Sequence, residues 1–191
     1  MIVLITGLKR SGKDTAAKEL VKNYRFVKYA FANPIRDICK VLFDWTDEHF
    51  NNKELKESID PEWGISPRQA MQWIGTEAFQ YHINNEFPIF RETTGRCIWS
   101  RKFLKWREKN LDFQNIVIPD WRFPHEQKEL MRIQHREKVL FLRINNPNIK
   151  PGDAHESEVH IPDLLVDEEI VNDGTIDELH DKVSYFIDKN L

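Results

Sequence analysis

The sequence predicts an α/β fold built on a parallel sheet, on three observations. Short apolar runs rich in β-branched residues alternate along the chain with stretches of helical character, and that alternation implies parallel strands joined by right-handed crossovers. The first run, residues 2–5, leads directly into a glycine-bounded loop and then a helix. The length, 191 residues, suffices for one well-buried α/β domain with a small insertion.

Taken in order, Ile2-Val3-Leu4-Ile5 reads as a buried strand. Gly7-Leu8-Lys9-Arg10-Ser11-Gly12-Lys13-Asp14-Thr15 follows it, and a helix begins with Ala16-Ala17. A strand, a glycine-bounded loop and a helix N-terminus form a phosphate cradle. The glycines let the backbone turn and approach a ligand, successive N–H groups point at phosphate oxygens, and the helix dipole favours negative charge. Lys13 adds a mobile charge for β- and γ-phosphates, and the spacing Gly-x4-Gly-Lys is that of a P-loop. One position departs from the motif. Asp14 stands where Ser or Thr would hold Mg²⁺, and Thr15 comes next, so either residue can serve the metal, Asp14 through water.

Residues 26–31 read as a second strand. Asn33-Pro34 starts a helix over 33–43, with Asn as cap and Pro in the first turn, and places Arg36 near its start. Residues 44–67 read as polar and irregular. Ser66-Pro67 caps a strong helix over 68–81, residues 84–95 read as loop, and 98–109 as helix. Residues 113–118 form the next strand, ending in Pro119-Asp120-Trp121-Arg122. Pro124 starts a helix to about 136, and 138–144 is a fourth strand. Residues 145–153, rich in Asn, Pro and Gly, read as a loop and as a short lid, with a helical turn over 155–161. A last strand, 169–171, precedes the turn Asn172-Asp173-Gly174. Thr175 caps a final helix with Ile176, Leu179, Val183, Phe186 and Ile187 on its apolar face.

Composition narrows the function. Charged residues make up 31% and hydrophobic residues 40% of the chain, ordinary usage for a soluble domain. A formal net charge of −3 argues against a general nucleic-acid coat. Cys39 and Cys97 make neither a disulfide framework nor a CxxC metal site, which fits a reducing cytoplasm. No apolar run reaches membrane-spanning length, and a strand starting at Ile2 leaves no room for a signal or transit segment. No nucleic-acid or membrane partner is expected.

Ligands of a parallel sheet bind at the carboxyl ends of its strands. The P-loop, Ala32-Asn33, Asp120-Trp121-Arg122 and Asn145-Asn146 all follow strands and are expected at one edge. Two phosphate chains meet only if cations offset their repulsion. The candidates are Lys13, Arg10, Arg36, Arg68, Arg122 and Arg143, with a metal ion, and arginine suits bidentate phosphate contacts. Asp120 can ligate Mg²⁺ through water, orient an arginine, accept a hydrogen bond from an acceptor hydroxyl, or simply close a turn. Trp73 and Trp99 are base-stacking platforms or core residues. His155 and His160 lack a third ligand, so no zinc site is expected.

These residues resemble a known family. GLKRSGKDT, residues 7–15, is similar to the P-loop of the T-even-type bacteriophage deoxynucleoside monophosphate kinases. Ala32-Asn33-Pro34-Ile35-Arg36-Asp37 resembles their following helix start, and Arg68 through Glu77 their substrate-side helix. Arg96-Cys97-Ile98-Trp99, then Val117-Ile118-Pro119-Asp120-Trp121-Arg122 with His125-Glu126, then His155-Glu156-Ser157-Glu158 and Val171-Asn172-Asp173-Gly174-Thr175 complete the series in order. The chain is shorter than the T-even type, mainly within 44–67.

The resemblance implies one P-loop kinase domain over 1–191, a parallel five-stranded sheet flanked by helices. It implies a helical monophosphate-binding insertion over 33–112 and a lid-like segment over 145–160. It implies transfer of the γ-phosphoryl of ATP, with Mg²⁺, to a deoxynucleoside monophosphate. Gly7, Lys9, Arg10, Ser11, Gly12, Lys13, Asp14, Thr15 and Arg143 would then serve ATP and its metal. Ile35, Arg36, Arg68, Asp120, Arg122 and Glu126 would serve the acceptor side, with Gln72 and Trp99 near the base. Lys13, Arg10, Asp120 and Arg122 would carry catalysis. The implied setting is a phage or virus enlarging its host's nucleotide pool in the host cytoplasm, by an enzyme of a fold that often dimerises.

Two other readings compete. Dephospho-coenzyme A and phosphomevalonate kinases have similar loops, and an acceptor panel separates them. An NTP-binding switch would hold nucleotide without an acceptor, but the chain has no guanine-reading motif and no effector region. A nucleic-acid-processing ATPase is disfavoured by the acidic balance and single-domain length.

Overall fold

The structure is a computed structural model that describes residues 1–149, 161 and 164–191. The helical turn expected over 155–161, apart from Ile161, and most of the expected lid lie outside the described residues, as do His155 and His160.

β1 (Ile2–Thr6) is buried at every residue. It lies at the centre of a five-stranded sheet ordered β2-β3-β1-β4-β5, in which all pairs are parallel. The other strands are β2 (Val27–Lys28), β3 (Ile116–Ile118), β4 (Val139–Asn145) and β5 (Glu168–Val171). Ile2 registers with Ile116 on one side and Val139 on the other. Central parallel strands are covered on both faces, which is why β1, β3 and the first four residues of β4 read as apolar runs rather than alternating ones. The second strand is shorter than the expected 26–31: only Val27 and Lys28 are strand residues, the buried Tyr29 adds an N–H bond to Val117 O, and Phe26 and Phe31 are buried beside it. A two-residue edge strand also offers little unpaired backbone to another chain.

The described residues cluster into two compact units, one of Met1–Ala30 with Phe103–Leu191, the other of Phe31–Lys102. The first holds the sheet, α1 (Lys13–Tyr24), the helix α9 (Pro124–Met131) and the last helix α10 (Ile176–Asp188). α1 and α10 pack together over the sheet. Ala16, Ala17 and Leu20 of α1 meet Leu179, Val183, Phe186 and Ile187 of α10 in one core with Val3, Ile5 and Leu142. Each large side chain buried there stabilises the fold by about 1.5–3 kcal/mol. The Thr175 cap forms as expected, its side chain accepting from the Glu178 N–H. Ile176 departs from the expected apolar face and is 64% exposed.

The second unit is helical: α2 (Asn33–Phe43), α3 (Asp47–Asn51), α4 (Lys53–Glu57), α5 (Pro67–Gln72), a π-helical segment (Trp73–His82), α6 (Ile83–Glu86), α7 (Pro88–Thr93) and the first part of α8 (Ile98–Glu108). α2 has the expected span and its early proline, but Ala32 is the N-cap, with no side-chain hydrogen bond.

Two sequence expectations fail here. Residues 44–67 are not irregular, because Thr46 and His49 cap α3 reciprocally and Asn52 accepts from the Glu54 and Leu55 N–H groups to start α4. Nor is 84–95 wholly loop, since helical structure runs on to Glu86 and Pro88 opens α7. In the π segment, two buried donors converge on one carbonyl: Gln80 Nε2 and Trp99 Nε1 lie 3.0 and 2.7 Å from Gly75 O. Gly75 lies against Ile35, whose Cδ1 would be 2.8 Å from a Cβ at that position.

Candidate active site

The loop after β1 is shaped by two glycines. Gly7 has φ +143°, and a Cβ on it would lie 2.2 Å from Ile144 O and 2.6 Å from Ser11 Oγ. Gly12 has φ +107° and is the N-cap of α1. Arg10, exposed at the loop's outer side, adopts φ +70°, and the Ser11 N–H donates to Leu8 O at 3.0 Å, closing the turn. Lys13 is buried, and its ammonium donates to Gly7 O at 2.7 Å and Leu8 O at 2.6 Å. A P-loop's parts are therefore together: backbone curled between two glycines, a lysine ammonium on the loop, and the N-terminus of α1 beneath it. Thr6 Oγ1 and Ser11 Oγ are both buried without a hydrogen-bond partner. Lys9 is half-buried within the loop.

Asp14 and Thr15 occupy the first turn of α1. Asp14 is exposed and pairs with Lys28, at the end of β2, at 3.0 Å. Partial desolvation raises its carboxyl, but the Lys28 hydrogen bond and the charges of Lys28, Lys13 and Lys18 outweigh this and hold it below the usual carboxylate range. Among the described residues no group of three His, Cys, Asp or Glu side chains could hold a metal by itself. Mg²⁺ in phosphate sites takes one or two protein oxygens and completes its shell with phosphate and water. The carboxylate and hydroxyl at the start of α1 fit that donor set.

Asp120 and Arg122 follow β3, so parallel topology puts them at the same strand-end edge of the sheet as the P-loop. Both are half-buried. Glu126, in the first turn of α9, is buried, and its Oε2 accepts from the N–H groups of Arg122 and Phe123, each at 3.0 Å. It therefore fixes the backbone that carries Arg122. Burial pushes its carboxyl up to about 8, Asp120 adds to this, and the two amide donors and the Arg122 charge pull against it.

Arg143 lies on β4, with Nη1 donating to Glu169 Oε2 at 3.0 Å and Nη2 to the carbonyls of Ile161 and Leu164. These contacts tie β4 to β5 and its approach. Nothing in the sequence pairs Arg143 with Glu169, because that contact depends on strand order.

In the second unit, Ile35 packs against Gly75. Arg36 sits in the first turn of α2, with Nε buried and lacking a hydrogen-bond partner. Arg68, in the first turn of α5, pairs with Glu57 of α4 at 2.7 Å. Gln72 ends α5 half-buried. Trp99 is 5% exposed, tilted against Phe79 and bonded to Gly75, whereas Trp73 is 57% exposed.

Sequence reasoning passed over Asn172, whose side-chain amide donates to Ser11 O at 2.9 Å. Its motif was legible as a turn and as a family segment, but its contact with the phosphate loop was not.

A family model described as deoxynucleotide monophosphate kinase matches residues 1–59 and 40–183. A putative deoxynucleotide monophosphate kinase of Acanthamoeba polyphaga mimivirus is 30% identical, covering 98% of this chain and 96% of the relative. The deoxynucleotide monophosphate kinase of Escherichia phage RB69 is 32% identical, covering 95% of this chain and 97% of the relative. Among solved structures, a sugar kinase from Janibacter aligns with TM-score 0.51 at 14% identity, over 98% of this chain and 94% of its own, a likeness of fold. With its P-loop inside a match that spans nearly its whole length, the chain belongs to the deoxynucleotide monophosphate kinase family.

Proposed function

We propose that the protein transfers the γ-phosphoryl group of ATP to a deoxynucleoside monophosphate, giving ADP and a deoxynucleoside diphosphate. An acceptor phosphate oxygen forms a bond to the γ-phosphorus as the bond to the ADP oxygen breaks. The observation that carries this reading is the family match through residue 183, with the P-loop within it.

Phosphoryl transfer is governed by positioning and charge stabilisation more than by a strong base. The backbone N–H groups between Gly7 and Thr15 would cradle the ATP phosphates, with Lys9 and Arg10 alongside. Lys13 would exchange its bonds to the Gly7 and Leu8 carbonyls for β- and γ-phosphate oxygens. Asp14 and Thr15 would hold Mg²⁺, which when bound neutralises charge on the phosphates. Arg122, held through its backbone by Glu126, and Arg36 and Arg68 in the helical unit would neutralise the acceptor phosphate. The phage and viral origin of the relatives supports the cytoplasm of an infected host as the setting.

An ATP-consumption assay across all deoxy- and ribonucleoside monophosphates tests the reading. Turnover with at least one deoxynucleotide is the expected result. Turnover with dephospho-coenzyme A and with no nucleotide would give the chain to the small-metabolite kinases instead.

A further inference from the structure

The motif Val171-Asn172-Asp173-Gly174-Thr175 joins β5 to α10 and has no assigned role in the transfer. The backbone holds Asn172 firmly. Val171 registers with Asn145 across the β4–β5 pair, the Asn172 N–H donates to Asn145 O at 2.7 Å, and Lys182 Nζ donates to Val171 O at 2.7 Å. From that mount the Asn172 side chain reaches across 161 positions of sequence. Its amide Nδ2 donates to Ser11 O at 2.9 Å, inside the phosphate loop. The same nitrogen lies against Gly12, where a Cβ would fall 2.5 Å from it and 3.1 Å from Leu179 Cδ2.

The Ser11 carbonyl and the Gly12 N–H belong to one peptide plane. No peptide bond among the described residues is cis, so within that rigid unit the two groups point in opposite directions. Whatever holds the carbonyl outward therefore aims the N–H inward. Gly12, at φ +107°, has more rotational freedom than any other residue type at that point. Without an external tether, its peptide can flip at little cost and turn a carbonyl oxygen toward the phosphates.

We propose that Asn172 is a positioning residue for the phosphate loop: by holding the Ser11 carbonyl from outside, it points the Gly12 N–H at the nucleotide phosphates. This rests on the reading of the loop as the ATP cradle. It extends the site to the β5–α10 connection and couples the docking of α10 on α1 to the affinity for nucleotide.

The test is a titration of ADP with Mg²⁺ into the full-length wild type, Asn172→Ala and Asn172→Asp, with steady-state kinetics and thermal unfolding of each nucleotide-free protein. Asn172→Ala removes the donor. Asn172→Asp keeps the shape but sets an oxygen against the Ser11 carbonyl. The expected result is about tenfold weaker ADP binding for Asn172→Ala, the loss of roughly one hydrogen bond, and a larger loss for Asn172→Asp. The KM for the monophosphate should stay within about twofold of wild type, and unfolding temperatures should stay close to wild type. Unchanged ADP affinity in both variants overturns the inference. So does a general loss in which ADP affinity, monophosphate KM and unfolding temperature all worsen together, which is the mark of scaffolding alone. If the wild type itself fails to bind ADP, the reading of the cradle falls first, and this inference with it.

Discussion

Two side chains show what burial does at the scale of one residue. Lys13 is a strongly hydrated cation, yet it is buried, with its ammonium on two loop carbonyls at 2.7 and 2.6 Å. Lys13→Ala removes the charge and should lower turnover by roughly a hundredfold or more, about 2.7 kcal/mol of transition-state stabilisation. Circular dichroism should show the fold retained, and a folded variant with near-normal turnover would take the phosphate role away from Lys13. Glu126 makes a separate, pH-dependent prediction. Its folded pKa of about 8 lies above the ordinary value of 4.5. Between these values the folded state binds more protons than the unfolded state, so this group's contribution to stability declines as pH rises, by at most about 1.4 kcal/mol per pH unit. Glu126→Gln keeps an oxygen for the Arg122 and Phe123 N–H groups but cannot ionise. Its stability should fall less steeply than wild type from pH 5 to pH 8 in urea unfolding. Parallel curves would show that Glu126 does not titrate in that window.

Among the elements, the strand–loop–helix at the start of the chain is the most constrained. Gly12 combines φ +107° with contacts to Asn172 and Leu179, so any other residue there would be strained in its backbone and crowded at its Cβ. Gly12→Ala should destabilise the protein by about 1–3 kcal/mol and weaken ADP binding as well. Denaturant unfolding should show a lower midpoint at an unchanged slope. Stability equal to wild type would mean that the loop relaxes elsewhere. This stretch was legible in the sequence because every signal in it is local: apolar run, glycine spacing, lysine, helix start. Residues 44–67 were not. Their helices are five residues each, too short for a periodic pattern, and one cap uses His49 where Glu or Gln is the usual signal. The helix after Ser66-Pro67 was legible in its extent and in its start, where Ser66 and Gln69 cap reciprocally, but not in the π-helical form of its second part, where Trp99 of a later helix bonds to Gly75.

For the molecule as a whole, the unit Phe31–Lys102 enters the chain between β2 and β3, while the P-loop belongs wholly to the other unit. If the two units divide the substrates, a mutation in the helical unit should affect only one of them. Arg68, paired with Glu57 at 2.7 Å, is the probe. Arg68→Ala should raise the KM for the monophosphate about tenfold, roughly 1.4 kcal/mol, and leave ADP affinity nearly unchanged. Steady-state kinetics with each substrate varied, beside ADP titration, checks this. Loss of ADP affinity with a normal monophosphate KM would show that Arg68 serves the donor nucleotide.

The sequence by itself determined the parallel α/β class, all five strands in outline, the phosphate loop, the capped final helix and the family. Each is written in contiguous residues, where periodicity, glycine spacing and capping act over a few positions. Only the tertiary structure decided what distant side chains do. Arg143 is bonded to Glu169 because β4 and β5 are neighbours. Trp99 is buried on the carbonyl of Gly75, and Glu126 accepts from the backbone of Arg122. Asn172, read as a turn residue, holds the phosphate loop from the far end of the chain. A polar side chain's partner depends on which strands and helices become neighbours. That choice is made by burial of the whole core, and no local stretch of sequence records it.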